Sequence, residues 1–245
     1  MAFAMLALAP GLALGSFLNV VAARVPLRRS IVSPGSACMS CGHELSWREN
    51  IPLLSYAVLR GRCRSCGARI PLRYPTVEAS AALLVAGSVW KFGLHAEALV
   101  ASIFCLALVA ISATDLEHRL IPNRIVLPAA AVVLAGQTAV KPSPEWAIAA
   151  AGAFALMLLI ALIYPAGMGM GDVKFALLLG AMLGRAVPVA LMVGMLAAVV
   201  PAVVLLARHG SAARKMGVPF GPFLALGAVV ALFAGHPILH AYLHH

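Results

Sequence analysis

The sequence predicts an all-α polytopic membrane protein of about eight transmembrane helices, both termini outside, with a small cytoplasmic insertion between helices 1 and 2. Three observations carry this expectation. Hydrophobic residues make up 62% of the 245-residue chain and charged residues only 11%, where soluble domains carry about a quarter charged, and the mean hydropathy is +0.98. The apolar residues gather into eight runs. The basic residues, 18 Lys and Arg against 8 Asp and Glu, are spread very unevenly over the connections between those runs. A soluble fold is excluded.

The runs cover residues 2–23, 77–90, 98–114, 125–140, 146–164, 173–184, 186–207 and 218–239. At 1.5 Å per residue about 20 residues cross a hydrocarbon core of roughly 30 Å. The sixth run is the weakest, because only about a dozen apolar residues separate Asp172 from Arg185, too few to cross comfortably. The first run has no basic segment before it and meets its first positive charge, Arg24, only after the apolar stretch. It therefore reads as a retained helix with its N-terminus outside rather than as a cleaved signal.

Simple alternation from that start places Arg24, Arg28, Arg29, Arg48, Arg60, Arg62, Arg64, Arg69, Arg73, Arg119, Arg124, Lys174, Arg208, Arg214 and Lys215 inside, and only Lys91, Lys141 and Arg185 outside. Cytoplasmic connections carry the Lys and Arg excess of membrane proteins. The net charge of +10 is thus an orientation signal, with anionic lipid at the cytoplasmic face as its counter-charge. No nucleic-acid-binding motif is present, so nucleic acid is not an expected partner.

The expected division is a first transmembrane helix over 1–23, a cytoplasmic loop over 24–75 and a membrane core over 76–245. The loop holds Cys38-Met-Ser-Cys41 and Cys63-Arg-Ser-Cys66, each followed by a glycine, Gly42 and Gly67, with 21 residues between the pairs. Two such knuckles supply the four soft ligands of a closed tetrahedral zinc site, and a glycine suits the turn behind each pair. Disulfides fit poorly in a loop that the charges place in the reducing cytosol. A redox CxxC lacks its strand and helix. Structural zinc also answers a physical need, since a loop of about 50 residues with few large apolar groups needs a staple. Cys105, in the third helix, reads as a packing residue.

The chain contains only two aspartates, Asp115 and Asp172, against six glutamates. Ionisable groups at membrane depth are costly and read as functional by default. The expected topology ends the third helix at Asp115 and begins the sixth at Asp172, so both fall at the cytoplasmic level. Asp172 follows Gly167-Met168-Gly169-Met170-Gly171 at a helix N-terminus, which favours the anion, and Asp115 stands at a helix C-terminus, which favours the protonated form. Two neighbouring carboxyls share one proton, so one acts as base on water and the other as acid. The helix ends assign base to Asp172 and acid to Asp115. The bland alternatives are an N-cap at Asp172 and an Arg119 partner for Asp115. Glycine-rich backbone that dips below the interface is tolerated only where it is buried in protein or lines a wet cavity.

These residues resemble a known family. Gly169-Met-Gly171-Asp172-Val-Lys174 is similar to the GxGD signature of intramembrane aspartyl proteases. The wider series resembles bacterial type IV prepilin peptidases: Gly15-Ser-Phe-Leu-Asn19, both CxxC pairs, Cys66-Gly-Ala-Arg-Ile-Pro-Leu-Arg-Tyr-Pro-Thr-Val-Glu78, Asp115 with Ile121-Pro122-Asn123, and Pro219-Phe-Gly-Pro-Phe223. The resemblance implies a bifunctional inner-membrane enzyme. It would cleave the basic leader of prepilins or pilin-like secretion proteins after a glycine at the cytoplasmic face, then N-methylate the new N-terminal residue from S-adenosylmethionine. It places the catalytic pair at Asp115 and Asp172 and the cysteine-rich loop at Cys38, Cys41, Cys63 and Cys66. Gly169, Gly171 and Lys174 support the catalytic loop. No glycine-rich nucleotide fingerprint accompanies the methyl-transfer implication.

The loop is basic, as prepilin leaders are, so leader recognition falls to Glu78, Glu117, the aspartates or lipid headgroups, although both glutamates read equally as ordinary interfacial acids. Gly11 with Gly15, and Gly180 with Gly184, form GxxxG pairs that mark close helix packing. Lys174 either balances Asp172 or anchors its helix to headgroups. Pro122 starts the fourth helix, with Asn123 bonded in the loop before it. His240, His244 and His245 lie in an outside tail. Two rival classes stand: a proton-coupled transporter using the aspartates as a relay, which predicts broken helices in both halves, and a non-catalytic scaffold built on the zinc module.

Overall fold

The computed structural model describes residues 2–165, 168–210 and 218–243, and Gly167, Arg214, Lys215, His244 and His245 lie outside them. All eight apolar runs are helical. The helices are α1 (Ala2–Leu6), α2 (Leu8–Arg24), α3 (Leu54–Val58), α4 (Arg73–Phe92), α5 (Ala96–His118), α6 (Asn123–Val140), α7 (Glu145–Ile163), α8 (Met170–Leu183), α9 (Val187–His209) and α10 (Gly221–Leu243). By length and composition, five stretches among the described residues suffice to cross a membrane: Ala2–Arg24, Ala96–His118, Asn123–Val140, Glu145–Ile163 and Met170–Arg208. The other expected spans fall short for identifiable reasons. Arg73, Glu78 and Lys91 lie within α4, α8 and α9 run together as one 39-residue apolar stretch, and Gly221–Gly235 of α10 is a shorter apolar helix among the described residues.

The chain divides into two compact units, Met1–Thr114 and Asp115–His245. In the first, α2 packs antiparallel on α4 along a regular stripe. A Cβ on Gly11 would lie 2.7 Å from Ala82 Cα, one on Gly15 2.7 Å from Glu78 Cα, and Asn19 Nδ2 donates to the Tyr74 carbonyl at 3.2 Å. Each step of four along α2 is matched by a step of four back along α4, so the i, i+4 face of one helix lies on that of the other. Small residues let the backbones approach where lipid gives helices no hydrophobic drive to associate. The Gly11 and Gly15 pair therefore marks close packing, as its spacing predicts. Behind it, α5 presents Phe104, Cys105, Leu108 and Ile111, each at most 1% exposed, and the Cys105 thiol lies 3.8 Å from the Ser88 hydroxyl.

Glu78, for which the sequence left leader recognition and a plain interfacial acid open, is buried. It is 8% exposed, and its Oε2 accepts the Leu53 amide at 2.8 Å. Leu53 holds φ at 58° as the residue before α3, a conformation costly for a non-glycine residue. The buried carboxylate thus ties the insertion to the helix pair.

In the second unit the 14 residues of α8 span only about 21 Å. Val173, Phe175, Ala176 and every residue from Leu178 to Leu183 are buried, because α8 packs against α7, α6, α10 and α9. A helix enclosed by protein need not match the hydrocarbon thickness. Gly180 lets α8 approach α7 so closely that an added Cβ would overlap the backbone of Ala149 and Ala150. Gly184, its expected packing mate, also lies against α7, where an added Cβ would meet the Glu145 carboxylate and come within 2.9 Å of the Trp146 ring, and it ends α8 with φ at 53°, which glycine adopts without strain. One turn of 3-10 helix, Gly184–Ala186, then leads to α9. There α9 and α10 pack antiparallel through Gly194 against Leu224 and Gly227 against Ala190.

Two further expectations are corrected here. Asn123 is the first residue of α6 rather than a loop residue, and Pro122 is its N-cap, where the missing N–H costs nothing. Asp172 is the third residue of α8 rather than its N-cap, which is Gly169, and its carboxylate reaches back to the Gly169 amide.

Candidate active site and metal centre

The insertion carries two copies of one turn, 25 residues apart. The Cys38 amide donates to the His43 carbonyl at 2.9 Å and the Gly42 amide to the Cys38 carbonyl at 2.9 Å; the Cys63 amide donates to the Ala68 carbonyl at 2.8 Å and the Gly67 amide to the Cys63 carbonyl at 2.9 Å. Gly42 and Gly67 take φ of 73° and 71°, as a glycine behind each CxxC must to reverse the chain. A capping box at Ser46 and Glu49 follows the first knuckle, with Ser46 Oγ donating to Glu49 Oε2 at 2.7 Å. The Ser46 hydroxyl and amide, with His43 beside them, hold the Glu49 carboxyl below the usual range.

The four sulfurs of Cys38, Cys41, Cys63 and Cys66 lie within 4.8 Å of one another, and those of Cys38 and Cys66 are 3.8 Å apart. A regular tetrahedron with Zn–S bonds of about 2.3 Å has edges of about 3.8 Å. All five cysteines are free, so the disulfide alternative is not realised. The amides of Cys41 and Ser40 pull the Cys38 thiol down to about 6. The Ala68 amide acts the same way on Cys66, but the neighbouring sulfurs and burial outweigh it and push that thiol up to about 11. One thiolate among proton-sharing thiols is the state that a divalent cation completes. The donor set fits structural zinc.

In the unit Asp115–His245, the start of α6, the start of α8 and the start of α10 meet at one end, where α5 also terminates. Asp115 lies in the last turn of α5, not after it, since the helix continues to His118 before Arg119 turns left-handed with φ at 51°. Asp115 is 6% exposed and its Oδ2 accepts the Gly221 amide at 2.8 Å. The Asp172 carboxylate lies against the Gly169 amide and within Coulombic reach of Asp115. The two aspartates of the chain therefore converge.

The intervening Ile121-Pro122-Asn123 segment fixes the second of them. A Cβ on Gly171 would sit 2.9 Å from Ile121 Cβ, so glycine is what lets the first turn of α8 seat on Ile121. Lys174 Nζ donates to Asn123 Oδ1 at 3.0 Å. Lys174 thus joins α8 to α6. Facing Gly221 removes the ground for making Asp115 the acid: its carboxylate meets the positive first turn of α10 as well as the negative end of α5, so both aspartates face helix N-termini. Sequence reasoning missed Gly221 as a contact of Asp115. Its only signal is the Pro219-to-Phe223 motif.

Two clefts of this unit, about 630 and 380 Å³, lie at the end marked by Glu145, Gly184 and Arg185. The larger is walled mostly by apolar side chains, Ala149, Ala153, Leu156, Leu191 and Met195 among them, and the smaller by Ser143, Glu145 and Arg185 among others. Among the described residues there is no β-strand and hence no glycine-rich nucleotide turn of the strand-helix kind.

A helical chain with five stretches able to cross a membrane and both its aspartates near one another in one unit defines a multi-pass membrane protein. Residues 10–92 match the bacterial peptidase A24 N-terminal domain and residues 102–206 the type IV leader peptidase family. Proteins named prepilin leader peptidase/N-methyltransferase are similar over almost the whole chain: one from Bacillus subtilis is 36% identical over 95% of each chain, one from Pseudomonas putida 35% identical over 96% of this chain and 92% of its own, and one from Pseudomonas aeruginosa 34% identical over 99% and 94%. The chain belongs to the type IV leader peptidase family. No solved structure matches it.

Proposed function

We propose that the chain is a membrane-embedded aspartyl endopeptidase that removes the basic leader of prepilins or pilin-like secretion proteins after a glycine, with Asp115 and Asp172 as its catalytic pair. The observation that carries this reading is the convergence of the two aspartates at the helix starts of one unit. Between two such carboxyls one proton is shared. The ionised member takes a proton from water as the hydroxide adds to the scissile carbonyl carbon. The protonated member gives its proton to the carbonyl oxygen, forming a gem-diol. As the C–N bond breaks, the proton taken from water passes to the amine nitrogen and one gem-diol hydroxyl returns its proton to the other carboxylate, which leaves a carboxylic acid, an amine and the dyad as it began. Gly169 and Gly171 shape the turn that presents Asp172, and Lys174 anchors it through Asn123.

The named relatives support N-methylation of the new N-terminus as the second activity, with S-adenosylmethionine as the donor it requires. No step is derived for it from these residues. Cys38, Cys41, Cys63 and Cys66 would hold a zinc ion, which supplies structural cross-linking. The functional division is 1–23, 24–75 and 76–245, in the bacterial inner membrane, with the site at the cytoplasmic face and anionic lipid opposite the basic loop. The relatives give the transporter reading no support.

Purified protein in detergent, incubated with a prepilin-type substrate, is expected to yield a product shortened by the leader, and 14 mass units heavier again when S-adenosylmethionine is added, roughly one methyl group for one hydrogen. An uncut substrate with wild-type protein contradicts the reading.

A further inference from the structure

We propose that Gly221 is a positioning residue for peptide cleavage: its backbone amide, in the first turn of α10, fixes the Asp115 carboxylate through Oδ2 and leaves the other oxygen for the shared proton. The inference rests on the reading of Asp115 as catalytic.

Three observations on this residue agree. The Gly221 amide lies 2.8 Å from Asp115 Oδ2 in a buried contact. It is the opening residue of α10, where amide N–H groups have no partner within the helix and must find one outside it. Gly221 is absent from the glycines with positive φ, so backbone conformation does not require a glycine there. Space does: an added Cβ would lie 2.8 Å from Asp115 Oδ2 and 3.2 Å from its Cβ. An amide can only donate, and a donor aimed at one carboxylate oxygen fixes the plane of the group without competing for the proton. Pro222 follows with no N–H of its own, which leaves the Gly221 amide as the donor at this point of the turn. The start of α10 is therefore shaped around Asp115, as the start of α8 is shaped around Ile121.

The test compares Gly221→Ala with Gly235→Ala. Gly235 lies on the same helix, about four turns from Gly221, and its added Cβ would lie 2.9 Å from Ala186 Cβ, so the control perturbs the packing of the far part of α10 without touching Asp115. Initial rates are measured with a prepilin-type substrate in detergent, each preparation normalised to its monodisperse fraction so that poor folding cannot pass for poor catalysis. Gly221→Ala should lower kcat about 100-fold, the scale of a displacement near 1 Å, with KM changed less than about twofold. Gly235→Ala should keep kcat within about threefold per folded molecule. Wild-type kcat in Gly221→Ala, or an equal kcat loss in both variants, overturns the proposal. Asp115→Asn separates the two levels. If it still cleaves, the catalytic reading itself fails; if it is inactive while Gly221→Ala keeps its kcat, only the positioning role fails.

Discussion

Replacing Gly171 by alanine tests whether the start of α8 is held in place by the segment that follows Asp115. A Cβ at this position would lie 2.9 Å from Ile121 Cβ and 3.4 Å from its Cγ1. Carbon atoms in ordinary contact stand about 3.5–4.0 Å apart, so α8 or Ile121 has to move by at least about half an ångström. Ile121 is 7% exposed and has little room to retreat. Asp172 is the next residue and moves with the turn. A 1 Å misplacement costs about 100-fold in rate, so half of that predicts a loss of about 10- to 100-fold in kcat, with α8 still folded. The assay is a double-mutant cycle on leader cleavage using Gly171→Ala, Ile121→Gly and the pair. Removing the Ile121 side chain carries its own cost, but it clears the space, and the further loss from Gly171→Ala should shrink to about threefold or less. An equal penalty from Gly171→Ala in both backgrounds would refute the reasoning, since the loss would then arise from something other than this contact.

The remaining predictions concern the metal and the two tethers. Stripping metal from the purified protein should unfold the knuckles, because structural zinc contributes about 10–16 kcal/mol in small domains; one zinc per chain in the wild type and none in Cys41→Ser is the expected metal analysis. Lys174→Met removes the bond to Asn123, worth about 0.5–1.5 kcal/mol, and should slow cleavage no more than about tenfold, with Asn123→Ala adding nothing further. Glu78→Ala leaves the buried Leu53 amide without its acceptor and should cost about 1–3 kcal/mol in thermal unfolding, while Glu78→Gln, which keeps a carbonyl acceptor, should cost less.

The apolar runs located every major helix, because a membrane helix must be continuously apolar and needs no partner to reveal itself. The cysteine knuckles were equally plain, since CxxCG fixes both the ligands and the glycine that turns the chain. What the sequence left open was set by contacts distant along the chain. Nothing local to α8 says why 14 residues suffice; the enclosing α6, α7, α9 and α10 do. The GxxxG spacing marked Gly180 and Gly184 as close contacts, which both make with α7, but it could not show that Gly184 also ends α8. The part played by Glu78 stayed open because its acceptor role is defined by Leu53, 25 residues away. The convergence of the aspartates was legible from topology, but the donor to Asp115 comes from residue 221, 106 residues on.

A pair acting as one acid–base unit has a kinetic signature that separate contributions lack: losing either member costs as much as losing both. Leader cleavage should therefore be measured for Asp115→Asn, Asp172→Asn and the double variant at matched folded concentration. The dyad predicts three equal losses at the limit of detection. A single variant that retains cleavage, or a double variant whose loss is the product of two modest single losses, contradicts it.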